Sequence, residues 1–188
     1  DVERSRGLGD VYKRQEVAAL NFLEKKLDGL RTNNIKILYD MGGIYKSFEK
    51  YDEAIKIYSK LLDLLDNRSK AYADILYRRG GSFERIGDYE TADKDLLESL
   101  KITRENPYVL NYLAYSWLER NYKIELSMEM LKEAYDLRKN DPYITDSLGW
   151  GYYLINDFEL NAEKYLKKAV ELMPYDPIVN DHYGDILW

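Results

Sequence analysis

The sequence has no cysteine and a single histidine, His182, among its 188 residues. Disulfides, thiolate metal sites and cysteine nucleophiles are thereby excluded, and the redox compartment stays open. One histidine leaves almost no material for a histidine-based hydrolase or for a zinc site of roughly three or four ligands. Proline is scarce at four residues. No apolar run approaches the ~18 residues that a membrane-spanning helix needs. Basic residues are outnumbered, 28 Lys and Arg against 34 Asp and Glu, for a net charge of -6. That balance argues against a phosphate-backbone partner, and so against nucleic acid.

What is abundant is tyrosine, 19 residues against four phenylalanines. Tyrosine at that density suits a surface that is partly buried and partly wet. With 45% hydrophobic and 33% charged residues, the composition is that of a helical chain with a continuous core. The opening "DVERSRGLGDVYKRQ" is basic, matches nothing downstream and resembles translated adapter sequence, so residues 1–15 are set aside. The chain does not begin with Met and shows no signal-peptide pattern. Its compartment, cytoplasm or bacterial periplasm and cell envelope, is left open.

Period is the strongest signal. Asn106-Pro107, Asp141-Pro142 and Asp176-Pro177 are spaced by 35 and 35 residues. Asn or Asp before Pro is a helix start: the side-chain oxygen caps free amides, and Pro at the first helical position has no amide to lose. Gly42, Gly80, Ala114, Gly149 and Gly184 keep the same beat, at intervals of 38, 34, 35 and 35. Each is followed three residues later by a large side chain: Tyr45, Phe83, Trp117, Tyr152 and Leu187. A second small series, Ala54, Ala92, Ser127 and Ala162, precedes Tyr58, Leu96, Leu131 and Leu166 by four. Small residues at fixed places let two helices approach closely, and the large ones fill the space around them.

These spacings resemble the tetratricopeptide repeat, a helix–turn–helix unit of about 34 residues. "YDMGGIYKSFEKYDEAIKIYSKLL" and "YRRGGSFERIGDYETADKDLLESL" are similar to its consensus, and Ala169 and Pro174 match its close. "DSLGW" with "NDHYGDILW" further resembles the terminal repeats of poorly characterised bacterial tetratricopeptide proteins, some of them exported. The resemblance implies an all-α, right-handed α-solenoid over residues 35–188, with four repeats and the first helix of a fifth. Helices are expected at 35–48, 51–66, 71–86, 89–104, 107–120, 124–138, 142–155, 159–172 and from 177 onward. Residues 1–34 hold the set-aside segment and a partial helix at 16–30. Glu49, Gly87, Asn121 and Asn156 fall in the turns, where Gly and Asn suit a left-handed backbone and Glu49 is a departure. The third and fourth turns each carry one extra residue.

No catalytic or metal set stands out. Asp181, His182 and Asp185 share a helical face, but an exposed polar edge accounts for them better than a metal site. The glycine pairs Gly42-Gly43 and Gly80-Gly81 lack phosphate-loop spacing. Packing explains the first of each pair; the second points only to close approach of a ligand or helix. No enzyme and no cofactor are expected.

In the family, the first helices of the repeats line a concave groove. The resemblance places Tyr77, then Tyr108, Asn111, Tyr112 and Tyr115, then Tyr143, Asp146, Trp150 and Tyr153, then Asp181, His182 and Asp185 on that groove, with Tyr39 beside Gly43 at its start. Some of these tyrosines serve packing between repeats, but an aromatic stripe of this extent marks binding. The chaperone-adaptor branch grips a C-terminal carboxylate with Lys, Arg and Asn. Here Asp146, Asp181 and Asp185 would repel one in the later repeats. The expected function is a non-catalytic scaffold for a neutral or basic peptide or protein segment. Carbohydrate binding, or a cell-envelope assembly role for the same groove, is the alternative. Ile186, Leu187 and Trp188, without a second helix to cover them, also suggest self-association or truncation at that end.

Overall fold

The computed structural model describes Ala18, Asn21, Phe22, Lys25 and residues 32–188, with only the backbone of residues 159 and 160. The helix expected at 16–30 lies largely outside the described residues. Nine α-helices are found among the described residues, with no strand. They are α1 (Ile35–Ser47), α2 (Tyr51–Leu64), α3 (Lys70–Arg85), α4 (Tyr89–Ile102), α5 (Pro107–Glu119), α6 (Ile124–Leu137), α7 (Pro142–Leu154), α8 (Glu163–Leu172) and α9 (Pro177–Asp185). The chain forms two compact units, Asp1–Asp95 and Leu96–Trp188.

The helix starts are those that capping chemistry dictates. Asn34, Ser69, Asn106, Asp141 and Asp176 each accept a backbone N–H of their own first turn. Pro107, Pro142 and Pro177 occupy the position behind three of these caps. Each such cap contributes about 1 kcal/mol.

The helix ends are just as regular. After α1, α3, α5 and α7 the chain turns through a left-handed residue, Glu49 (φ 57), Gly87 (φ 82), Asn121 (φ 52) and Asn156 (φ 62). In each case the next amide reaches back to a carbonyl five residues earlier: Lys50 to Tyr45 at 2.8 Å, Asp88 to Phe83 at 2.9 Å, Tyr122 to Trp117 at 2.8 Å and Asp157 to Tyr152 at 2.9 Å. This satisfies a helix-terminal carbonyl and sets the angle of the second helix. Glu49 adopts the conformation despite its side chain.

The two extra turn residues are absorbed differently. In the third turn Lys123 also takes a left-handed conformation (φ 47). In the fourth, the residues ahead of α8 wind as a π-helical turn, Phe158–Ala162, with the Ala162 amide on the Asp157 carbonyl at 3.0 Å. The helix expected over 159–172 therefore starts with a wider turn, and the one expected from 177 onward ends at Asp185.

In the first unit α1 packs on α2 and α2 on α3; in the second α5 packs on α6, α7 on α8, and α9 on both α7 and α8. The two small-and-large series interlock within the hairpins. A Cβ on Gly42 would run into the ring of Tyr58, which is fully buried. A Cβ on Gly149 would lie 2.7 Å from Leu166 Cγ and 2.8 Å from its backbone nitrogen. The glycine of the first helix thus receives the large residue of the second. Gly43 is different: a Cβ there meets nothing within 4 Å.

Two expectations follow. Gly149→Ala lowers the thermal midpoint, because overpacking of about 1–3 kcal/mol against backbone exceeds the ~1 kcal/mol of helix propensity gained. Glu49→Gly raises it, by a few tenths to ~1 kcal/mol, because only the strained turn residue changes. Thermal melts by circular dichroism check both.

Candidate functional site

The second unit gathers the expected groove residues on α5, α7 and α9. The capped starts at Asn106, Asp141 and Asp176 put these three helices in equivalent register, so residues at matching steps come to equivalent places. Tyr108 and Tyr143 each follow the Pro of their helix and are exposed, at 44% and 51%. The Tyr143 hydroxyl donates to Asp176 Oδ2 at 3.3 Å, and the Arg138 guanidinium lies 5.8 Å from the Tyr108 ring centre.

One turn further in, the polar residues are buried. His182 Nδ1 and Asp146 Oδ2 are 2.8 Å apart, with His182 9% and Asp146 5% exposed. A carboxylate only accepts, so Nδ1 carries the proton and donates. This corrects the exposed edge expected for His182. Its position on α9 faces α7 at the step where Asp146 sits, and a buried carboxylate needs such a partner. Asp181 and Asp185 do stay exposed. Among the described residues no group of three His, Asp or Glu is placed to hold a metal ion.

Trp150 locks the couple. Its ring stacks on His182, centres 4.2 Å apart and planes 15° apart, and on Tyr153 at 4.7 Å and 20°. Its Nε1 donates to Glu119 Oε1 at 2.6 Å. Tyr115 lies 6.5 Å from the imidazole on a tilted plane. Two rings stacked on one indole leave little of its faces to a ligand. Glu119 is a residue the sequence reading missed. It stands four residues beyond Tyr115, the last groove residue expected on α5, and only the indole N–H reveals its role.

Two oxygens in this group are buried without a hydrogen-bond partner among the described residues: Asp146 Oδ1 and Asn111 Oδ1. They belong to equivalent residues, 35 apart, on α7 and α5. Tyr112 is half-buried beside Asn111 in sequence. Tyr77 belongs to the first unit.

Burial by itself would lower the His182 pKa, but the bond to Asp146 and the charges of Asp146, Glu119 and Asp181 outweigh it, and the net shift is upward. Burial raises the Asp146 pKa, against the bond from His182, which lowers it. The folded pair therefore holds its protons more tightly than the unfolded chain, and both shifts have the same sign.

A scan against family models identifies the tetratricopeptide repeat at residues 35–64 and 73–106. Two tetratricopeptide repeats are thereby identified, both in the earlier part of the chain. Solved structures place the whole array in the same fold, an all-α solenoid. MamA is 20% identical, with a TM-score of 0.65 over 88% of this chain and 93% of its own. PilF of Pseudomonas aeruginosa is 21% identical, with a TM-score of 0.70 over 81% of this chain and 67% of its own. YrrB, described as a tetratricopeptide protein with an unusual peptide-binding site, is 17% identical, with a TM-score of 0.62 over 93% of this chain and 86% of its own. No curated protein matches the sequence. The tetratricopeptide match covers the first two repeats, where the consensus residues are densest; the site lies beyond them.

The couple carries a stability prediction. His182→Ala leaves Asp146 buried and unpaired and strips Trp150 of a stacking neighbour, a loss of about 3–5 kcal/mol in the unfolding of the second unit. Because the His182 shift is upward, the contribution of His182 is full below the ordinary value of 6.5 and is lost as pH rises through the raised folded value. Urea midpoints recorded from mildly acid to alkaline pH fall in the wild type, and fall less in His182→Gln.

Proposed function

We propose that the chain is a non-catalytic interaction scaffold whose later repeats hold a neutral or basic partner segment along α5, α7 and α9. The observation that carries this is the pair of buried, unsatisfied oxygens, Asn111 Oδ1 and Asp146 Oδ1. An unmet buried acceptor costs roughly 1–3 kcal/mol, and native structures keep few of them. Two at equivalent steps of neighbouring first helices are acceptors that the N–H groups of a segment inserted between the surrounding side chains would satisfy. Tyr108 and Tyr143, exposed on the same two helices, supply the aromatic contact that such a segment buries. The remaining carboxylates, Glu119, Asp181 and Asp185, favour basic side chains and oppose acidic ones.

Support also comes from the fold. Tetratricopeptide arrays are interaction modules rather than enzymes, and YrrB is described by its peptide-binding site. A carbohydrate site would need an open ring face, and the faces of Trp150 are taken up by His182 and Tyr153. An assembly role in the cell envelope would use the same peptide contacts.

The proposal is tested with a peptide library and a glycan panel presented to the full chain. A peptide free of acidic residues is expected to be selected, with Tyr108→Ala and Tyr143→Ala each weakening it about tenfold (~1.4 kcal/mol). Asn111→Leu weakens it similarly while leaving the thermal midpoint unchanged or higher, since it removes an unmet acceptor. If the selected ligands are glycans, or if these three variants bind the peptide as tightly as wild type does, the reading fails.

A further inference from the structure

The His182–Asp146 couple sets the charge of the face it sits on as well as joining two helices. The His182 Nδ1–H donates to Asp146 Oδ2 at 2.8 Å whether the ring is neutral or charged. Only the second proton, on Nε2, comes and goes with pH. Nε2 has no hydrogen-bond partner among the described residues and is not sealed from solvent, so that proton can leave. Its loss weakens the bond to Asp146 without breaking it, and takes the couple from neutral to negative.

The strongest charges acting on the couple from outside are carboxylates. Glu119 on α5 and Asp181 on α9 act on His182, and Asp176 acts on Asp146. Asp185, also on α9, is exposed. Arg120, next to Glu119, donates through Nε to the Ser116 carbonyl at 3.0 Å. On α8, the other helix packed against α9, Glu163, Lys164, Lys167 and Glu171 are exposed. The Lys168 ammonium there donates to the Tyr135 hydroxyl and the Lys139 carbonyl. The imidazolium is thus the cation closest to Asp146, and the unmet acceptor Oδ1 belongs to that same carboxylate.

Resting on the scaffold reading of the same site, we propose that His182 makes the capture of a basic segment along α5, α7 and α9 pH-dependent. With the imidazole neutral, Asp146 offers the segment a carboxylate of full charge. With the ring protonated, the imidazolium cancels that carboxylate and repels the segment's cations. Capture therefore strengthens as pH rises through the folded His182 value, which lies above the ordinary 6.5. A purely structural couple gives the reverse order, because the same deprotonation loosens α9 from α7 and so disfavours binding. By linkage, a segment that prefers the neutral ring lowers the His182 pKa by the matching factor.

His182 is the only histidine, so its ring signals in proton NMR titrate without ambiguity. An arginine-containing peptide selected from the library is remade with both ends blocked and without His, Asp or Glu, so that its charge stays constant. Its affinity for the full chain is measured from pH about 6 to about 9, above the range of ordinary carboxylates. Binding at least about tenfold tighter at the higher pH is expected, with the His182 pKa about one unit lower in the bound state than in the free one. His182→Gln, whose amide can still donate to Asp146, is expected to bind with no pH dependence; the pKa readout needs no variant. Equal affinity across the range, tighter binding in acid, or an unmoved His182 pKa on a bound peptide overturns the proposal and leaves the scaffold reading standing. A pH dependence that His182→Gln retains also overturns it. If no peptide binds at either pH, the scaffold reading fails and this proposal with it.

Discussion

The α1–α2 and α7–α8 hairpins each depend on a crossing where one helix has no side chain. Gly42 receives the ring of Tyr58, and Gly149 receives Leu166 down to its backbone nitrogen. At that separation a single methyl group has nowhere to go, so the crossing point fixes the rotation of both helices about their axes. Everything else on the first helices is positioned by it. The left-handed residue and the five-residue back-bond that end each first helix set the angle; the glycine sets the distance. Once both are fixed, the residues facing away from the crossing form a face whose chemistry can vary without disturbing the hairpin. That separation of packing from surface chemistry explains how successive first helices can present different residues on that face, Asp146 on α7 and His182 on α9 among them.

In the second unit that freedom is used to bury polar groups. Asp146 gives one oxygen to His182 and keeps the other unmet; Trp150 stacks on the imidazole and ties its N–H to Glu119. The couple has two consequences. It holds α9 against α7 by a charge-assisted bond that weakens as pH rises. It also leaves the free acceptor in a fixed place, since the carboxylate cannot rotate without losing the imidazole. A preorganised acceptor is worth more to a ligand than a mobile one, because less ordering is left to be done on binding.

The repeat itself was legible because its determinants are local. An Asn or Asp before Pro reports a cap, a glycine reports a crossing, and a residue such as Asn121 reports a left-handed turn, each within a few positions of the chain. Glu49 was legible only by register, since its side chain argues against the conformation it adopts. The site was half legible. Tyr108 and Tyr143 came out exposed, as their positions implied, while His182 went inward. Its burial depends on meeting Asp146, 36 residues away, and a pairing between repeats leaves no trace in the spacing of either one. The covering of Trp150 and the part played by Glu119 were hidden for the same reason: they are properties of facing helices, not of a single helix. The π-helical turn ahead of α8 absorbs an insertion that the sequence shows as a count but not as a conformation.

The central claim is that the buried oxygens of Asn111 and Asp146 are acceptors reserved for a partner. Side-chain NMR of the full chain bound to a library-selected peptide tests it most directly. The account predicts that the Asn111 and Asp146 side-chain carbonyl signals shift on binding, and that peptide amides become protected from exchange with solvent. Shifts confined to α6 and α8, with Asn111 and Asp146 unmoved, would contradict it.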